Sequence, residues 1–293
     1  MVFRPLSAPD DRLLGPVEGW ATWSHDSLNL LCQLTEFEDL LPEPELVRFG
    51  FGEYDLSLDL PPNCALPPPL LARLEKFAVS LHEETKRSSL KLLTGLIPAG
   101  ISSHAVRLLF AATRSIIAGL TGDPYSALFA PLGSTGRRKH MKFRLHADLY
   151  PGRYLLNVFD NVPSDLSGAS LFLPIEKFEH VLSSIPSVPA EIRSTMFDCL
   201  NHPACTDRYQ YFYDLLNGDY AWTDELQEKL DAETYSIKLF RGEGYLLDDR
   251  KWLHGRTAPT GGVPVNRLYR LVFDSRDTLA ERRRTECKLL GPN

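Results

Sequence analysis

The stretch KFRLHADLY (142–150) decides how this chain is read. Polar and apolar residues alternate along it, and a period of two marks a β-strand with one face buried. His146 and Asp148 stand two apart, so they project from the same face with their backbones about 6–7 Å apart. That spacing lets an imidazole and a carboxylate converge on one cation. A third ligand must come from elsewhere in the fold, and His254 in KWLHGR (251–256) is the best candidate. Two histidines and one carboxylate on one side of a metal leave positions open for substrate and dioxygen, the arrangement of non-haem iron(II) oxygenases. An HxD pair alone is a permissive signal, because most histidines serve surfaces or cores.

Around this strand the period changes twice. Upstream, Leu70, Leu71, Leu74, Phe77, Ala78 and Leu81 recur at helical spacing, and a second helix is expected over Ser103–Leu120, closed by Gly122-Asp123-Pro124. GSTGRRKH (133–140) reads as a loop. Downstream, YLLNVFDNV (154–162), ASLFLP (169–174), YSIKLF (235–240), GYLLDD (244–249) and LYRLVF (268–273) read as strands between Pro, Gly, Asp and Ser breakers. Residues 176–232 look helical and irregular. The expected plan is α+β with a mainly β core: a helical or irregular N-terminal part (1–140), a jelly-roll core (141–275) with the insertion 176–232 as lid or substrate loop, and a C-terminal tail (276–293), all one domain.

Composition narrows the function. At 293 residues, 43% hydrophobic and 24% charged, the chain suits one large globular domain. A net charge of -6 argues against coating nucleic acid, which wants a basic footprint. No apolar run approaches the ~20 residues that span a bilayer, and MVFRPLSAPDD lacks a signal-peptide core. The expectation is therefore a cytoplasmic protein with no nucleic-acid or membrane partner. Five scattered cysteines with no CxxC do not form a disulfide framework.

With GASLFLP (168–174) and GYLLDDRKWLHGRTAPTGG (244–262) beside the HxD pair, the sequence resembles the taurine dioxygenase and clavaminate synthase-like group of 2-oxoglutarate oxygenases. The likeness covers roughly residues 140–175 and 235–275. It implies a double-stranded β-helix, Fe(II) held by His146, Asp148 and His254, and 2-oxoglutarate as cosubstrate, decarboxylated to succinate while dioxygen oxidises a small molecule. It also implies a buried arginine for the distal carboxylate of 2-oxoglutarate, since a guanidinium pairs bidentately with it. In the family this residue follows the distal histidine, often as Arg-x-x-x-Arg. NRLYRLVF (266–273) departs from that pattern: Arg267 and Arg270 are three apart, on opposite faces of a regular strand unless a bulge intervenes. Arg270 matches the second arginine of the pattern, and Arg267 lies nearer the usual spacing from the histidine. Ser170 occupies the place of the threonine that also touches this carboxylate. The rivals are a protein hydroxylase or demethylase on the same barrel and a non-catalytic metal-binding barrel.

Other signals are weaker. HEETK (82–86) lacks the second histidine of a zinc protease and reads as a solvated helix face. Cys199, His202 and Cys205 lack a fourth zinc ligand. Arg107, Arg114, Arg137 and Arg138 read as solvated or ion-paired. Tyr209, Tyr211, Phe212, Tyr213 and Trp222 make the insertion aromatic, for core packing or for enclosing substrate.

Overall fold

After a first helix, α1 (His25–Leu34), two helices form where apolar spacing predicts them. Helix α2 (Pro68–Arg87) starts on prolines, whose missing N–H groups are harmless in a first turn, and buries Leu70, Leu74, Phe77, Ala78 and Leu81. Helix α3 (Ser103–Thr121) is capped at both ends. The Ser102 side chain accepts from the Ala105 N–H, and Gly122 takes a left-handed φ of 70° that closes the last turn. The computed structural model describes residues 20–22, 25–41, 46–49, 52–55, 60, 66–94, 101–122, 127–133, 143–148, 153–161, 168–201, 206–258 and 267–273.

Twelve strands are described, in two sheets. Before residue 140 lie β1 (Trp20–Thr22), β2 (Leu46–Phe49), β3 (Gly52–Asp55), β4 (Leu90–Thr94) and β5 (Ala127–Gly133). Then come β6 (Phe143–His146), β7 (Tyr154–Asn161), β8 (Ser170–Pro174), β9 (Tyr235–Ile237), β10 (Gly244–Asp248), β11 (Trp252–Arg256) and β12 (Arg267–Phe273). The large sheet has the order β1-β4-β10-β7-β12-β5-β3-β2, and the small one β6-β11-β8-β9. All pairings are antiparallel except β1 with β4. The N-terminal part is thus more than helices, since five of the eight large-sheet strands come from it. Among the described residues no pairing joins the two sheets, so the architecture is mixed helix and antiparallel sheet without a closed barrel.

Strand alternation sorts the core into layers. On β7, Tyr154, Leu156 and Val158 pack with Leu74, Leu81 and Phe110 of the helices α2 and α3, while Leu155 and Phe159 face the other way. There they meet Tyr245, Leu247 and Val272 of the large sheet and Phe172, Ile237 and Trp252 of the small one. The Trp252 indole N–H also donates to the Ser89 hydroxyl at 3.1 Å, tying the sheets at one end. The opposite face of the small sheet presents Leu145, Leu171, Leu173 and Leu253 to the insertion.

That insertion comprises α4 (Ile175–Ser183), α5 (Ala190–Asn201), α6 (Thr206–Asn217) and α7 (Thr223–Glu233). It departs from β8 and returns to β9, and these strands pair directly, Ser170 with Ile237 and Phe172 with Tyr235. Phe178, Leu182, Met196, Phe212, Leu216, Leu226 and Leu230 form its core against the small sheet. Each fully buried side chain of this size contributes about 2 kcal/mol. The helices therefore form a packed fourth layer behind the small sheet. No described helix is long and apolar enough to cross a membrane.

Candidate metal centre

His146 ends β6, and Asp148 follows two residues later, just past the strand. Strand β11 runs antiparallel beside β6 and sets His254 directly across from His146. The imidazole centroids are 4.3 Å apart. His146 Nε2 lies 3.5 Å from one Asp148 oxygen, and His254 Nε2 lies 3.6 Å from the other. One potential ligand atom from each residue falls within 4.8 Å of the others, and this is the metal-sized cluster found among the described residues.

Local chain irregularity orients the first imidazole. The β6–β11 register shifts after the His146–His254 pair, Arg256 facing Phe143, so β6 carries an extra residue there. The Arg144 carbonyl lies 2.9 Å from His146 Nδ1. A carbonyl can only accept, so Nδ1 donates and Nε2 keeps its lone pair toward Asp148 and His254. From the insertion, Tyr213 stands edge-on to His146 with centroids 6.1 Å apart, and the Asn217 amide donates to the Leu145 carbonyl at 3.2 Å.

Charge states suit a divalent cation. Burial pushes the His146 pKa down, assisted by His254. Burial likewise pulls His254 down to about 4, against the attraction of Asp148. Both imidazoles are thus neutral near pH 7, as a ligand must be. Burial alone would raise the Asp148 pKa, but Arg270, His146 and His254 together hold it well below the usual carboxylate range. His254 is 3% exposed and its Nε2 lacks a hydrogen-bond partner. A buried ring nitrogen without a partner is costly whether it carries a proton or a lone pair, and as the lone-pair tautomer it is available to a metal ion. A donor set of two neutral imidazoles and one carboxylate fits Fe(II).

Arg270 adjoins this cluster. Its Nε donates to the Asn157 side-chain oxygen at 2.8 Å, and its Nη1 contacts Asp148 Oδ2. Arg270 falls in the same phase of β12 as Val272, which faces the space between the sheets. Arg267 is three residues earlier, in the opposite phase; β5 pairs regularly along this whole stretch, and the extra residue lies on β7. The Arg267 side chain lies outside the described residues. Ser170 opens β8, is buried, and pairs with Arg256 of β11.

Three neighbours escaped the sequence reading. Asn157 is fully buried and steers Arg270. A polar residue in the inward phase of YLLNVFDN was its signal. Arg256 lies two past His254, so the same-face rule applied to 146 and 148 also brings it beside Ser170. Asp249 is fully buried with Oδ1 3.3 Å from His254 Nε2. It follows Asp248, which takes a bidentate pair from Arg153 at 3.0 and 2.6 Å and so pins the turn leading into β11.

The weaker motifs are less consequential. Glu83 and Lys86 of HEETK form an exposed pair at 2.6 Å. Cys199 is buried, while His202, Cys205, Arg137 and Arg138 lie outside the described residues. Arg107 and Arg114 are buried on α3 instead of solvated. Phe212 belongs to the insertion core, and Tyr211 is exposed.

No family model matches the sequence, and no curated protein matches it. Solved structures similar to it include an asparagine oxygenase in complex with Fe(II), 2S,3S-3-hydroxyasparagine and succinate, at 13% identity over 87% of this chain and 93% of that one, TM-score 0.46. The non-heme iron oxygenase OrfP in complex with Fe and alpha-ketoglutaric acid matches at 13% identity over 88% and 94%, TM-score 0.44. OrfP in complex with Fe and L-Arg matches at 13% over 87% and 93%, also at 0.44. At such values the function rests on the residues of the site.

Proposed function

We propose that this chain is an iron(II)- and 2-oxoglutarate-dependent dioxygenase that hydroxylates a small molecule and releases succinate and carbon dioxide. The observation that carries this reading is the meeting of two buried, neutral imidazoles with one ionised carboxylate across β6 and β11. His146, Asp148 and His254 would hold the metal through one face and leave its other face to cosubstrate, dioxygen and substrate. The two sheets would then be the halves of a double-stranded β-helix. The whole chain would act as one domain, since Leu90 and Leu92 from its N-terminal part share a core with Phe172 and Trp252.

When bound, Fe(II) with 2-oxoglutarate supplies the activation of dioxygen: substrate gains one oxygen atom, and 2-oxoglutarate becomes succinate plus carbon dioxide. The chain contributes position, charge and exclusion of water. His146 is aimed by the Arg144 carbonyl, His254 by the braced turn before β11, and Asp148 stays ionised. Arg270 suits the distal carboxylate of 2-oxoglutarate better than Arg267, because its strand phase and its contacts put it beside the metal ligands. Ser170, one ladder step from His254, would assist. The Phe172, Tyr245 and Trp252 side chains between the sheets keep the surroundings apolar.

The test is anaerobic loading with Fe(II), then 2-oxoglutarate turnover to succinate under air across free metabolites and, separately, peptides. Stimulation by a free metabolite supports the reading, and stimulation by peptides alone would turn it to a protein hydroxylase. Failure of the protein to bind a divalent metal would refute it.

A further inference from the structure

We propose that Asn157 binds the cosubstrate directly: its side-chain amide donates from Nδ2 to the distal carboxylate of 2-oxoglutarate while its oxygen holds Arg270. The inference rests on the oxygenase reading above and adds a further residue to the seat of that carboxylate.

Register brings the parts together. Asn157 of β7 is the cross-strand partner of Arg270 on β12 and of Tyr245 on β10. Paired residues of this kind project from the same face of a sheet. Leu155 and Phe159, two residues to either side of Asn157, pack between the sheets with Tyr245 and with Phe172 of the small sheet. The row Tyr245–Asn157–Arg270 therefore crosses the inner face of the large sheet, and its Arg270 end reaches Asp148.

Chemistry fixes which way the amide points. An arginine Nε can only donate, so the Asn157 atom 2.8 Å from it is the oxygen, and the amide cannot be turned over. Asn157 is fully buried, and its Nδ2 makes no hydrogen bond among the described residues. Buried polar groups are nearly always satisfied, and an unsatisfied one costs stability. An aspartate here would grip Arg270 more strongly, but it would add a negative charge and repel an anion. The amide holds the same guanidinium without that charge and brings a donor of its own. Tyr245, its phenol pushed up to about 12 chiefly by burial, keeps its proton and extends the row with a hydroxyl. Neutral donors beside a guanidinium suit a carboxylate, because a hydrogen bond to an ionised acceptor is stronger than one to a neutral group.

The experiment is calorimetric titration of the Mn(II)-loaded full chain, without dioxygen, against 2-oxoglutarate and against 2-oxovalerate, which has the same metal-binding end and no distal carboxylate. The proteins are the unmodified chain, Asn157→Leu, Arg270→Met and the double variant. Circular dichroism checks that each folds, and Asn157→Ala serves wherever the leucine does not. Asn157→Leu should weaken 2-oxoglutarate about tenfold, the effect of losing one hydrogen bond to a charged group, and leave 2-oxovalerate unchanged. The loss should persist when Arg270 is already methionine, since a direct ligand does not act through Arg270. A loss that vanishes in that background would overturn the proposal and leave Asn157 a support for Arg270. So would an unchanged 2-oxoglutarate affinity, or an equal loss for 2-oxovalerate. An unmodified protein that binds both acids alike would overturn it together with the assignment of Arg270, and one that binds neither would overturn it together with the oxygenase reading.

Discussion

Replacing Gly244 by alanine should disturb the large sheet at β7, the strand whose Asn157 accepts from Arg270. A Cβ at this position would stand 2.1 Å from the Asn157 carbonyl oxygen, 3.0 Å from Val158 Cα and 3.1 Å from the Asn157 carbonyl carbon. All three atoms are backbone, so no side-chain rotation relieves the overlap. Restoring ordinary non-bonded separation requires β7 and β10 to part by about 1 Å. Strand β7 lies between β10 and β12, and Asn157 pairs with Tyr245 on one side and Arg270 on the other. Overpacking of this kind costs about 3 kcal/mol, which for a chain of this size lowers Tm by about 6–12 °C. The shift should also stretch the 2.8 Å bond from Arg270 to Asn157 and weaken 2-oxoglutarate binding. Gly119→Ala is the control: nothing lies within 4 Å of its Cβ, and α3 should gain up to about 1 kcal/mol. Calorimetric melting of both variants decides the matter. A Gly244→Ala protein melting within 2 °C of the parent, about a third of the smallest expected shift, would refute the reasoning.

The remaining predictions concern the insertion, acidity and the carboxylate ligand. Phe212→Ala should cost about 3–5 kcal/mol in urea unfolding, because that ring is fully buried in the layer behind the small sheet; a loss below about 1 kcal/mol would mean the helices are a loose flap. In metal-free protein, His254 is pulled down to about 4 from an ordinary 6.5, so between those values the unfolded chain binds a proton the folded one refuses. Stability is then full above pH 6.5 and falls by up to about 3 kcal/mol as pH drops toward 4. Urea midpoints that hold steady over this window would count against buried neutral imidazoles. Asp148→Gly should lose the native reaction, and the unmodified protein in chloride buffer should give no chlorinated product, since the Asp148 oxygen and charge exclude a second anion. A chlorinated mass from the unmodified protein would mean that Asp148 is not a ligand.

Helices α2 and α3, the strands from β6 to β8, β10 and β12, and the pairing of His146 with Asp148 were legible because each depends on short-range periodicity, whereas His254 was singled out by its KWLHGR setting and the family resemblance. The strands before residue 140 were not. β1, β2 and β3 are three or four residues long, too short to display a period, and β5 carries Pro131 opposite Tyr269. Their pairing is decided by distant partners, β1 by β4 and β5 by β12. β11 hid because Gly255 interrupts its run, although register with both β6 and β8 makes it a strand. The packing of the insertion could not be read from its sequence, where helical spacing did not say which surface it would meet. Phe178, Val181, Leu182, Leu215, Leu216, Leu226 and Leu230 find that surface in the back of the small sheet. Arg270 was legible as a candidate. Its alliance with Asn157 was not, because cross-strand register between β7 and β12 cannot be read from either segment alone.

The pairing of β6 with β11 also determines when the site comes into being during folding. It joins positions 146 and 254, a separation of 108 residues (254 − 146), and closing so long a loop carries an entropic cost that local contacts do not. The four helices of the insertion lie within that loop and form from near neighbours on a microsecond scale. Once β8 and β9 pair at their base, the helices become a compact module that shortens the effective distance between the histidines. Contacts of such high sequence separation assemble late. A metal ion present during refolding would therefore meet the three proposed donors together only after the helices and both sheets have come together. Such an ion is expected to slow unfolding and raise the stability of the finished protein while leaving the folding rate unchanged.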